Sequence, residues 1–310
     1  MIGIALSRRT ILKGAVGCLC CSALPAAALA QTAPAELTAQ PIAEGLLLIR
    51  GGGGNVVVGV EPDGMSLVDS GLAERTPALL EFIRAETGQD RIKTLINTHW
   101  HAGQTGGNAA IGAQGAKIVS HVNTARYLSN DTWVRAEHRT YPALPAEGRP
   151  TETFYDTWTG AFGAGGVEAG YLLQAHTDGD VYVRFPGANV IVTGGAATSD
   201  QWPVIDWSTG GWIGGLRRAQ SALLEIAADD TVIVPGLGPT MTKAELAAQH
   251  EMYVGLMDQL EAMMESGFGV SDVLAADPAA GLRPDWGDTA PFLTAAFKSF
   301  WGHVRQFDLV

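Results

Sequence analysis

The chain has 310 residues, 46% hydrophobic and 17% charged, enough to bury a large core as one domain or two closely packed halves. Its 20 basic and 32 acidic residues leave a formal net charge of −12. That balance argues against nucleic acid or an anionic membrane surface as partner, because phosphate binding needs a basic face.

Ser7-Arg8-Arg9-Thr10-Ile11-Leu12-Lys13 resembles the twin-arginine export motif, and an uncharged, modestly apolar stretch follows from Gly14 to the small-x-small site Ala28-Leu29-Ala30. Residues 1–30 are therefore expected to be a removable signal that directs a folded protein to the periplasm. The stretch is too short and too rich in alanine for a membrane span. Cys18, Cys20 and Cys21 all lie inside it, so a metal in the mature chain must be held by histidine and carboxylate.

A linker is expected over residues 31–41, and a single domain over 42–310. Leu46–Arg50, Val56–Val60 and Met65–Asp69 read as strands, separated by Gly51–Gly54 and by Pro62-Asp63-Gly64. The glycine run lacks the lysine and following helix of a phosphate loop, so a hairpin turn is expected there. Thr76–Thr87 has helical periodicity, and Ile92–Asn97 is a strand that delivers the chain into a histidine-containing loop. After an irregular middle, Trp133–Gly166, further strands are predicted at Tyr171–Ala175, Val181–Phe185, Val190–Thr193 and Val232–Val234. Helices are predicted at Trp212–Ala227, from a capping box of Thr242 and Glu245 to about Ser266, and at Pro291–Trp301. Two series of strands and helices imply an α/β sandwich.

The chemistry gathers in the segment Asn97-Thr98-His99-Trp100-His101-Ala102-Gly103-Gln104. With Val68-Asp69-Ser70-Gly71, Ala175-His176-Thr177-Asp178-Gly179-Asp180, Asn189–Gly195 and Pro235-Gly236-Leu237-Gly238-Pro239, in this order, it resembles the metallo-β-lactamase superfamily. The resemblance implies a four-layer αβ/βα sandwich with a metal site at the strand ends between the halves. It also implies that His99, His101 and His176 hold one metal ion. The ligand positions of a second ion fall on Gly103, Gln104, Gly195 and Leu237. Glycine and leucine offer no donor and glutamine only a neutral amide, so a second ion is not expected. The losses remove one whole ligand set and leave the other whole, a pattern that favours a retained role for the three histidines.

Three imidazoles and a water are a known catalytic zinc arrangement. One zinc ion and hydrolysis of an ester, lactone or lactam-type bond are the expected function. The alternative is an inactive descendant that binds a small molecule or a protein partner, with or without a structural metal. Asp178 and Asp69 are candidate catalytic bases, with Asp180 beside them, in place of the lost bridging carboxylate. Trp100, Gln104, Trp202 and Trp207 are expected to line a pocket for a small-molecule substrate or ligand. His121, His138, His250 and His303 match no metal motif and are expected at the surface or in packing.

Overall fold

The computed structural model describes residues 35–163 and 165–307, with side chains to Trp301. The expected export segment with its three cysteines, and the side chain of His303, lie outside the described residues. Strands β1 (Thr38–Ala43), β2 (Leu46–Arg50), β3 (Val56–Glu61) and β4 (Gly64–Val68) pair antiparallel. Helix α1 (Thr76–Thr87) returns the chain to β5 (Ile92–Ile96), parallel to β4. Short helices α2 (Ala102–Thr105) and α3 (Asn108–Gly112) lead to β6 (Lys117–His121). Helix α4 (Val122–Ser129) precedes a separate hairpin of β7 (Thr132–Val134) and β8 (Arg139–Tyr141). β9 (Glu152–Phe154) then completes a seven-stranded sheet in the order β1-β2-β3-β4-β5-β6-β9.

The second sheet runs in order through β10 (Thr157–Gly160), β11 (Val167–Tyr171), β12 (Val181–Phe185), β13 (Val190–Gly194) and β14 (Val232–Pro235). β13 and β14 are parallel because α5 (Ile213–Ile226) crosses between them. Helices α6 (Lys243–Glu265), α7 (Val270–Ala276) and α8 (Ala290–Phe307) follow. None of the described helices is long and apolar enough to cross a membrane.

Alternation within the strands sorts the chain into four layers. Leu46, Leu48 and Val57 of the first sheet meet Val183, Val190 and Val192 of the second in one buried cluster between the sheets. Ile49, Val56 and Val58 point the other way, onto Leu79 and Ile83 of α1. Ile191 and Ile233 pack outward against α5, α6 and α8 through Leu216, Leu256 and Phe297. This is the expected αβ/βα sandwich.

Several elements differ from expectation: α7 was not anticipated, and α8 runs six residues past Trp301. The stretch taken as linker is already β1 from Thr38, paired with β2; as an edge strand it tolerates Pro41 and polar residues. The strand expected over Tyr171–Ala175 ends at Tyr171, because the chain must turn there, with Gln174 at φ 49°, to aim His176 inward. The irregular middle holds the β7–β8 hairpin, β9 and β10, whose three- and four-residue strands give too short a pattern to read.

One side chain ties the halves together at the site end. The Asn55 amide, at the close of the β2–β3 turn, donates to the carbonyls of Pro235 (2.8 Å) and Gly238 (2.9 Å) beyond β14. At the start of α6 the capping box is present: Thr242 Oγ1 accepts from Glu245 N–H at 3.2 Å, and Glu245 Oε2 from Thr242 N–H at 2.7 Å. Thr242→Ala should lower unfolding free energy by about 1 kcal/mol, read as a lower urea midpoint with an unchanged slope.

Candidate metal centre

The site is built where β4 and β5 end. Asp69 follows β4 at φ 63°, and its fully buried carboxylate accepts from the Thr98 N–H (2.8 Å) and the Thr98 hydroxyl (2.7 Å). Thr98 Oγ1 in turn lies 3.0 Å from His99 Nδ1. With its proton given to Asp69, the hydroxyl accepts from His99 Nδ1–H, which turns Nε2 of that ring inward, beside the Gln104 side chain. His101 Nε2 lies 3.1 Å from Asp206 Oδ2, and His176 Nδ1 lies 2.5 Å from the Val204 carbonyl. A carboxylate and a carbonyl can only accept here, so both rings donate outward and turn His101 Nδ1 and His176 Nε2 inward.

Those two inward nitrogens stand 2.8 Å apart, and the donor atoms of all three rings lie within 4.8 Å of one another. Two lone pairs at that spacing repel unless a shared proton or a metal cation lies between them. Nitrogens 2.0–2.1 Å from a tetrahedral zinc sit about 3.3 Å from each other, so the donor set fits such an ion. Burial, then the neighbouring His176 and His101, hold the His99 ring well below the usual imidazole range. Burial, then His101, takes His176 down to about 3. Both rings therefore stay neutral, the form that binds metal. Burial pushes the Asp206 carboxyl up, but hydrogen bonds from His101 and Thr209 more than offset it and keep it below the ordinary value. Burial raises Asp69 to about 7 against the two bonds from Thr98.

The rings open into a cavity of about 270 Å³ walled largely by Ala197, Val204, Leu237 and the Gln104 side chain. Gln104 lines this cavity, and the three tryptophans named with it do not. Trp202 is buried, stacked on Phe292 at 5.0 Å with Trp286 edge-on, as part of the outer core against α8. Trp207 lies outside the cavity, between the cations of Arg135 (6.0 Å) and Lys298 (5.8 Å). Trp100 is buried behind His101, ring centroids 4.6 Å apart, and donates to Thr209 Oγ1 at 3.3 Å. It backs the ligand ring and does not line the cavity.

Neither candidate base reaches the cavity. Asp178 pairs with Arg126 (3.2 Å) in the turn after His176, and Asp69 lies beneath the loop, bonded to Thr98. Asp180 accepts from the Thr177 N–H and shapes the same turn. His121 is a packing residue, stacked on Tyr171 at 4.0 Å, and Gly51–Gly54 is a hairpin turn that supports the Gly103 carbonyl through Gly54 N–H. Asp206 was not anticipated. Its sequence signal, an Asp before Trp207-Ser208-Thr209-Gly210, marks a turn cap, and it does accept from Ser208 and Thr209 N–H. Nothing local announces that its other oxygen reaches His101.

The profile of the metallo-beta-lactamase superfamily matches residues 49–239. The chain belongs to that superfamily. Among solved structures it is similar to a metallo-beta-lactamase from Pontibacter korlensis, at 21% identity and a TM-score of 0.56, over 70% of this chain and 99% of the other. The DIM-1 metallo-beta-lactamase aligns at 20% identity and 0.55, over 71% and 97%. A stereoselective inverting sec-alkylsulfatase, Pisa1 from Pseudomonas sp., aligns at 17% identity and 0.64, over 84% of this chain and 49% of the other. At these identities the likeness shows the fold alone. No curated protein matches the chain.

Members of the metallo-beta-lactamase superfamily bind metal, usually zinc, and this one carries the three-histidine cluster. At Gly195, where the resemblance puts the bridging carboxylate, the His176 side chain leaves no room for a side chain. A Cβ on Gly195 would lie 2.5 Å from His176 Cγ and closer still to Cδ2. Gly195→Asp should therefore add no second ion and should displace His176, seen as a zinc content below that of the parent chain. Asp206→Ala, which frees the far side of His101, should weaken zinc binding about 10–100-fold in a competition titration against a chelator, with the fold retained by circular dichroism.

Proposed function

We propose that this protein is an exported hydrolase that cleaves an ester, lactone or lactam-type bond with one zinc ion held by His99, His101 and His176. The observation that supports the reading is the set of outward hydrogen bonds that turns three imidazole nitrogens inward, within 4.8 Å of one another. Export to the periplasm rests on the Arg8-Arg9 motif and the Ala28-Leu29-Ala30 site.

When bound, such an ion supplies Lewis acidity. The chain's own residues supply the rest. Asp206, the Val204 carbonyl and the Asp69–Thr98 pair hold each ring at a fixed tautomer and angle. Ala197, Val204 and Leu237 give the cavity an apolar wall that displaces water from a small acyl or ring-bearing substrate. The Gln104 amide offers a neutral donor and acceptor in the same wall.

The test combines elemental analysis with a substrate panel of p-nitrophenyl butyrate, δ-valerolactone and nitrocefin. About one zinc per chain and turnover of at least one substrate are expected, with both abolished in His101→Ala. Full zinc occupancy with no turnover across the panel would sink the hydrolase and leave a metal-holding binding protein.

A further inference from the structure

The superfamily's carboxylate positions beside the metal, Gly103 and Gly195, hold glycine, yet the cavity has an acid. Among the described residues lining it, Glu137 is the one carboxylate. It sits in the turn of the β7–β8 hairpin, and that hairpin is fastened over the site at three points. Val134 is buried with Trp100 and Leu128, the Tyr141 ring meets Trp100 edge-on at 5.4 Å, and Ala136 N–H donates to Ser208 Oγ at 3.2 Å. Tyr141 also lines the cavity, and its hydroxyl donates to Glu137 Oε2 at 2.5 Å. Burial and the hydrogen bond to Glu137 push the Tyr141 phenol up, so it remains a proton donor to that carboxylate.

The charged and titratable groups around the turn come from three sides. Arg139 lies over the Tyr141 ring at 4.7 Å on the same hairpin. His101 and Asp206 stand across the opening, and Asp288 and Lys298 of the α8 region share with Glu137 an adjoining cavity of about 440 Å³. His101 and Asp206 are already bonded to each other, and Asp288 accepts from Ala290 N–H. Glu137 is the one carboxylate of this set that also faces the three-histidine cavity.

We propose that Glu137, positioned by Tyr141, is the catalytic proton carrier of this cavity, an assignment that rests on the hydrolase reading above. As the attacking water bonds to the acyl carbon, its O–H bond breaks and the proton passes to the Glu137 carboxylate. As the bond from the acyl carbon to the leaving oxygen or nitrogen breaks, Glu137 returns that proton to the leaving atom. One water is consumed, an acid and an alcohol or amine are released, and the carboxylate is restored. The Tyr141 hydroxyl donates to Glu137 before the transfer and accepts from it after.

The test uses zinc-loaded wild type, E137Q and Y141F on p-nitrophenyl butyrate and δ-valerolactone. For E137Q, kcat on the lactone should fall about 100-fold at unchanged KM, because its alkoxide leaving group needs the returned proton. The fall on p-nitrophenyl butyrate should be smaller, since p-nitrophenolate leaves without one. Zinc content should equal the parent's, and Y141F should lose about tenfold on the lactone. Formate should restore part of the lost rate in E137A. An E137Q protein that keeps its zinc and its kcat on both substrates overturns the assignment alone. So does one that loses zinc along with rate, which marks a structural role. A wild type inactive on the whole panel overturns the hydrolase reading and this one together.

Discussion

Everything at the site follows from the side of each imidazole that faces away from it. A histidine ring has two nitrogens, and its outward bond decides which one is left with a free lone pair. Here the three outward partners differ: a threonine hydroxyl backed by Asp69, the Asp206 carboxylate and the Val204 carbonyl. All impose the same result, a donor proton turned out and a lone pair turned in. Lone pairs gathered without a shared proton or a metal cation between them repel one another, so the protein holds an arrangement that favours an ion.

Those outward bonds also explain why the surrounding loops are fixed. Val204 and Asp206 belong to the segment after β13, and that segment is bonded back to the His176 turn through Asp206 N–H to the His176 carbonyl (2.9 Å) and Trp212 N–H to Ala175 (3.0 Å). Trp100 anchors the β7–β8 hairpin on the other side of His101. The aromatic side chains that an apolar pocket seemed to want are therefore used as braces. The surface offered to a ligand is left to small and aliphatic residues together with Gln104, Glu137 and Tyr141.

Much of this was legible in the chain. Apolar alternation located most strands of both sheets, and the spaced motifs located the three histidines, because each of those signals is local. Most of the failures are non-local. Trp202 sits among Gly, Pro and Asp and was expected to line the pocket, yet its ring stacks on Phe292 of α8, ninety positions on. Asp206 meets His101 across 105 positions. Glu137 lies in a hairpin whose three-residue strands carry too little periodicity to register. Asp178 and Asp69 were the acids that the spaced motifs singled out, and each is committed elsewhere, to Arg126 and to Thr98.

The Asn55 amide has a mechanical consequence. It stitches the glycine turn of one sheet to the Pro235–Gly238 loop of the other, and Leu237 in that loop is one wall of the ligand chamber. Asn55 N–H is bonded to the Gly236 carbonyl as well (3.0 Å), so this one residue joins the two sheets three times at the mouth of the site. Widening the chamber by spreading its sheets would first have to break these bonds, so the stitch sets the separation of the walls that a guest meets.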